Sequence, residues 1–195
     1  NLVSNTFFLL LDWGIVGILS FIFWIIIWKN LTPFQTGIFS TSQNLIVLIS
    51  TITTASFAYV CTKLIPEYIE NKKYGLINSL IRFVLGMTLL ITVVASLVIF
   101  FFAPTLSRLI PNLPIEAIIL ASLGIILFTF EVTFGDILFG YQNMKKYFIT
   151  DIVGTLFKVI LGAGLIYFGF QYVGPLVGFL FASIIVAILR FNVKW

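Results

Sequence analysis

A chain of 195 residues that is 61% apolar and 9% charged, where an ordinary soluble domain carries about 25% charged residues, belongs in a membrane. Its mean hydropathy is +1.16, so soluble readings fall away, and the net charge of +4 reports topology rather than a nucleic-acid partner. Histidine is absent and Cys61 is the lone cysteine, which leaves no basis for imidazole chemistry, an internal disulfide or a structural zinc site.

About twenty apolar residues cross a bilayer as a helix. Six runs meet that measure, at residues 7–28, 39–61, 77–103, 115–139, 148–168 and 173–190. They are continuous rather than alternating, which excludes a β-barrel, so the expected fold is all-α, a single six-helix transmembrane lobe over residues 1–195. The first run is too long for a signal-peptide core and is kept as a span. Beginning at Asn1 and stopping at Trp195 just after an apolar run, the chain reads as a fragment or as half of something larger.

Topology follows from the cations. Lys63, Lys72 and Lys73 lie between runs two and three, Lys145 and Lys146 between four and five, and Arg190 and Lys194 after six; the opposite loops hold Lys29 and Arg108. Seven against two predicts both termini in the cytoplasm. Trp24, Trp28 and Tyr172 then fall at the outer interface, beside an outer loop broken by Pro104, Pro111 and Pro114.

In the first run, Asp12 near the cytoplasmic end reads as a solvated end residue ahead of the alternative, a coupling-ion site. At 100° per residue, Gln43, Ser50 and Thr54 share one stripe of the second run, with Asn44 and Thr51 beside them. Such a face serves either for hydrogen bonding between helices or as the wall of a hydrated pathway; five polar residues on one face favour the pathway. The third run gathers Asn78, Arg82, Thr92 and Ser96, and Arg82 fits either snorkelling to headgroups or an interior site.

The fourth and fifth runs carry the strongest signal. Gly124, Phe128, Glu131 and Gly135 share one stripe, and Asp151, Thr155, Lys158 and Gly162 share another, with the small residues marking packed faces. Counted from the polar bend at residues 141–146, Glu131 and Lys158 each lie on the order of 15–20 Å deep. An antiparallel hairpin sets them side by side, as a neutralised ion pair or as a site where Lys158 meets an anion and Glu131 holds it or exchanges a proton. Asp136, Asp151, Lys145 and Lys146 are expected near the surface, where solvation suffices. Gly174, Gly178 and Ala182 in the sixth run form a ladder suited to close contact with the fifth or with a missing partner.

Clustered carboxylates for Mg²⁺, a Walker A loop, HExxH and GxSxG are all missing. That favours a carrier over an enzyme, with no cofactor and no metal.

Three stretches carry a family resemblance. KNLTPFQTGIFSTSQNL at 29–45 is similar to a basic residue, a Leu-Gly-Pro-like turn and a Tyr-Gly-Ile-Phe-Ser-like helix start, with Thr32 and Thr36 replacing the usual Gly and Tyr around Leu31, Pro33 and Gly37. KLIPEYIENKKYGLINSLIR at 63–82 and FGYQNMKKYFITDIVGTLFKVILGAGLIYFGFQYVGPLVGFLFA at 139–182 complete the pattern. Together they resemble the amino-terminal half of a polysaccharide-export flippase of the multidrug/oligosaccharidyl-lipid/polysaccharide superfamily. The resemblance implies one lobe of a 12–14 helix protein in the cytoplasmic membrane, paired with a second six-helix lobe around a cavity. Such a protein, surrounded by membrane lipids, moves a polyprenyl-pyrophosphate-linked oligosaccharide by alternating access. Its cationic cavity makes Arg82 and Lys158 the candidates for the pyrophosphate, with Gln43, Ser50 and Thr54 on the cavity wall and Glu131 and Asp12 for ion coupling. The alternatives are a cation-coupled multidrug antiporter of the same superfamily and a non-transporting membrane scaffold.

Overall fold

A computed structural model describes residues 2–110 and 113–191. They form seven helices and, among the described residues, no strand: α1 Leu2–Asn30, α2 Pro33–Glu70, α3 Tyr74–Phe101, α4 Ala103–Leu109, α5 Ile115–Gly140, α6 Met144–Tyr167 and α7 Val173–Phe191. All but α4 are long and apolar enough to cross a membrane.

Helices α1 and α2 outrun their apolar stretches at both ends, because local chemistry, not hydropathy, sets where a helix starts and stops. Thr32 and Gln35 form a reciprocal capping box and Pro33 supplies the preset first turn, so α2 starts six residues before its apolar run. It continues past Cys61 through Pro66 because Ile65 packs with Ile77, Ile81 and Val84 of α3 and with Phe134 and Ile137 of α5. It stops where Lys72 turns left-handed at φ 55° and the N–H groups of residues 71–73 fold back on Glu67, Ile69 and Tyr68. Gln142, at φ 56°, closes α5 in the same way. In the proline-rich loop Pro104 opens the short helix α4, where a fixed φ suits the first turn; Pro111 lies outside the described residues.

Helix α5 is the hub. It packs on α2, α3 and α7, while α7 also packs on α6, and α6 on α1. The hairpin expected of the fourth and fifth runs is therefore open: α5 and α6 touch only slightly, and α7 fills the space between them. Apolar association has little driving force in lipid, so close approach and interhelical hydrogen bonds have to hold such a bundle. A Cβ on Gly124 of α5 would fall 2.5 Å from Ile46 of α2 and 2.8 Å from Leu180 of α7. Ser50 donates to the carbonyl of Ile125 at 3.3 Å, and Ser96 to that of Ser122 at 2.7 Å.

The ladder in α7 meets α6: a Cβ on Gly178 would sit 2.6 Å from the backbone N of Gly162 and 3.1 Å from the carbonyl of Lys158. Gly178→Leu is therefore expected to cost about 1–3 kcal/mol, measured as a lowered melting temperature in detergent. Gly14→Leu, where a Cβ has open space, is the control, and equal melting temperatures for the two would refute the tight α6–α7 contact.

Candidate functional site: an ionisable pocket between four helices

The apolar clusters lie on the α2 and α3 sides of α5 and near the α1–α2 turn. On the side where α5, α6, α7 and α1 converge, ionisable groups take their place. A cavity of about 170 Å³ is lined by Glu131 and Phe128 of α5, Asp151, Gly154, Thr155 and Lys158 of α6, Phe179, Ala182, Ser183 and Val186 of α7, and Val16 of α1. Such a volume holds roughly five waters.

Arg190 organises this region. Only 2% exposed, it pairs with a carboxylate oxygen of Asp151 at 2.7 Å, donates from Nε to Thr150 Oγ1 at 3.2 Å and from Nη1 to the Glu131 carbonyl at 2.9 Å, and stacks 4.5 Å over the Tyr147 ring. One side chain thus ties the end of α7 to both α5 and α6. Gly135 clears its place, since a Cβ there would come within 2.9 Å of Arg190 Nη1.

Asp12 belongs to the same region. It is 4% exposed and its Oδ1 is buried without a hydrogen-bond partner, within electrostatic reach of Asp151 and Arg190. Glu131 feels Arg190, Asp151 and Lys158. Lys158 is half-buried and points its ammonium at the Phe23 ring of α1, 5.3 Å from the centroid. Among the described residues no ion pair within 4 Å joins it to Glu131. The two share a pocket and feel each other's charge without a direct ion pair, because α7 holds their helices apart.

The remaining sequence candidates lie elsewhere. Ser50 and Thr54 are buried in α2, Ser50 on α5 as above and Thr54 on the Ser50 carbonyl at 2.9 Å. Gln43 is half-buried, and Asn44 and Thr51 are exposed on another side of the helix. On α3 the expected stripe divides: Thr92 and Ser96 are buried, whereas Asn78 and Arg82 are exposed, outside the pocket.

Three readings are corrected by burial. Asp12 is not a solvated end residue, since it is 4% exposed. Asp151 and Asp136 are not left to surface solvation, since Asp151 needs Arg190 and the Oδ2 of Asp136 is buried without a hydrogen-bond partner. Arg190 is not a loop cation but an interior residue of α7. Proximity to the chain end hid it; the signal that could have found it is an acidic residue at Asp151 with no basic neighbour on its own helix face within a turn.

A family model described as polysaccharide biosynthesis protein matches residues 2–193. No curated protein matches the chain, and no solved structure does.

Removing Arg190 alone strands Asp151 in the interior, a loss of about 3–5 kcal/mol. Arg190→Met is expected to melt well below wild type in detergent, and Arg190→Met with Asp151→Leu to regain much of the difference. A double variant less stable than the single one would show that the stranded carboxylate is not what destabilises Arg190→Met.

Proposed function

Because the chain belongs to the polysaccharide biosynthesis protein family, we propose that it is a lobe of a transporter flipping a polyprenyl-linked oligosaccharide across the cytoplasmic membrane by alternating access. In this reading a second six-helix lobe, from the same protein or a second copy, faces it. Lys158 carries the reading: a half-buried lysine on a small interior pocket, with a ring rather than a carboxylate against its ammonium. An intramembrane cation left without an ion partner is poised for an anion, and the pyrophosphate between lipid and glycan supplies one whose oxygens accept charge-assisted hydrogen bonds.

The outer surface supports the same reading. Asn44 and Thr51 on α2 and Asn78 and Arg82 on α3 are exposed along helices long enough to span a membrane. Such groups suit a hydrated cavity against an opposing lobe better than acyl chains.

A specific observation also supports ion coupling. Asp12, Glu131 and Asp151 outnumber Lys158 and Arg190 in this region, so a proton or small cation fits the excess acid. In a cation-coupled antiporter of the same superfamily the acids would dominate function, and in a scaffold neither sign would matter for transport.

In the full gene product, Lys158→Ala at normal expression is expected to lower complementation of a flippase-deficient strain roughly tenfold or more, with Arg82→Ala weaker. Intact transport in both sinks the cationic-site reading. Loss on Glu131→Gln with Lys158→Ala silent favours the antiporter, and transport unaffected by any of the three, with loss of a partner in pull-down, favours the scaffold.

A further inference from the structure

A second and larger cleft lies between α1 and α2, near the turn at residues 31–32 and at the opposite end of the bundle from the bends carrying Lys72, Lys73, Lys145 and Lys146. It measures about 760 Å³ and is lined chiefly by Phe21, Trp24 and Trp28 of α1 and Thr36, Gly37 and Ser40 of α2. That volume is within the ~300–1,000 Å³ range of small-molecule sites. We propose that this cleft is a saccharide subsite, in which the aromatic wall stacks on the C–H face of a sugar ring and the two hydroxyls bind its rim. The inference rests on the flippase reading, and it assigns the glycan a place distinct from the interior pocket.

Three observations carry it. The first is the wall itself. Trp24 is half-buried and held by the Phe39 ring at 5.5 Å, with Trp28 at 6.0 Å beyond it, while Trp28 and Phe21 are each 62% exposed. Rings held in this way offer a large, rigid contact surface at little conformational cost.

The second is the hydroxyls. On α2 four hydroxyls bond back to their own helix, Ser42 to Ile38, Thr53 and Thr54 to Ser50, and Thr62 to Ala58. Among the described residues, the side chains of Thr36, Ser40, Thr41, Thr51 and Ser56 form no hydrogen bond; of these only Thr36 and Ser40 line the cleft, and both are half-buried. A polyprenyl tail gains nothing from them. The groove between α5 and α7, with Leu127, Phe130, Phe134, Ile184 and Ile188 on its walls, has the all-apolar lining that suits a tail.

The third is Gly37. A Cβ there would meet nothing within 4 Å, as is also true of Gly14, Gly17, Gly75, Gly86 and Gly164; what sets Gly37 apart is that it lies on the cleft, in a helix where glycine costs about 0.5–1 kcal/mol relative to Ala. Its contribution is open floor between the hydroxyls and the rings.

The cleft and the interior pocket have no lining residue in common, but a line of rings connects them. From Lys158 the line of rings runs through Phe23 at 5.3 Å, Phe39 at 6.0 Å, Trp24 at 5.5 Å and Trp28 at 6.0 Å. A ligand with an anionic link and a sugar head presents the two chemistries found at the two ends of this line.

The test uses the full protein in phosphatidylethanolamine/phosphatidylglycerol nanodiscs with two probes. One is a polyprenyl pyrophosphate bearing an N-acetylglucosamine disaccharide; the other is the same polyprenyl pyrophosphate without sugar. Wild type is expected to bind the sugar-bearing probe at least about fivefold more tightly. Gly37→Leu, which fills the cleft, and Trp28→Ala, which removes the platform, are expected to abolish that difference while binding the bare lipid as wild type does. Trp13→Ala, a 74% exposed residue outside the cleft, keeps the difference. Equal wild-type affinity for the two probes overturns the subsite and leaves lipid-carrier binding in place. Loss of the bare lipid in Gly37→Leu assigns the cleft to the tail and overturns it as well. Binding of neither probe by wild type overturns both the subsite and the flippase reading.

Discussion

A guanidinium removed from water inside a helical membrane bundle must recover several kcal/mol from its surroundings. Arg190 does so by spreading its donors over two helices: the Asp151 carboxylate and Thr150 hydroxyl on α6, and the Glu131 carbonyl on α5. The geometry of the pocket depends on that arrangement. Because the charge of Asp151 is answered by Arg190, Lys158 further along α6 is not drawn into an ion pair with it. The gap that α7 keeps between α5 and α6 likewise prevents Lys158 and Glu131 from closing on each other. A neutral core would pack as well or better; this one retains charge at a depth where charge is costly, which in a membrane protein points to a task beyond stability.

The rest of the bundle is held by closeness rather than by an oily core. Gly124, Gly140, Gly162 and Gly178 stand where a side chain would collide with a neighbouring helix, and Ser50 and Ser96 bond to carbonyls of α5. With lipid as apolar as the interior, these contacts supply the dispersion and hydrogen bonding that the hydrophobic effect supplies in water. They concentrate on α5 and along α6–α7. Helix α1 meets α2 only slightly and leans on α6, which leaves the cleft between them open.

In the proposed reading the two sites would divide the chemistry of a lipid-linked glycan. The interior pocket offers a cation and carboxylates in a small volume, and the cleft offers rings and free hydroxyls in a larger one. They are joined through α1, whose Phe23 touches both the Lys158 ammonium and the Phe39 ring. A tilt of α1 would alter both together, as the proposed alternating access would call for.

Much of this was readable in the residues. Hydropathy summed over about twenty positions depends on nothing beyond the run itself, so the six spans, the all-α class, the small-residue ladder of α7 and the interior standing of Glu131 and Lys158 followed from local pattern. The resemblance at residues 29–45, 63–82 and 139–182 likewise pointed to the family that matches residues 2–193. Pairing did not follow. The partners of Arg190 lie 39 to 59 positions away, and no periodicity shows that α7 inserts between α5 and α6 or that Ser50 turns to a carbonyl of α5. Helical phase says which residues share a stripe, but not which neighbour that stripe meets. Only the tertiary structure decided that an arginine at the end of the last helix faces inward, because its charge is satisfied by two other helices and not by anything in its own.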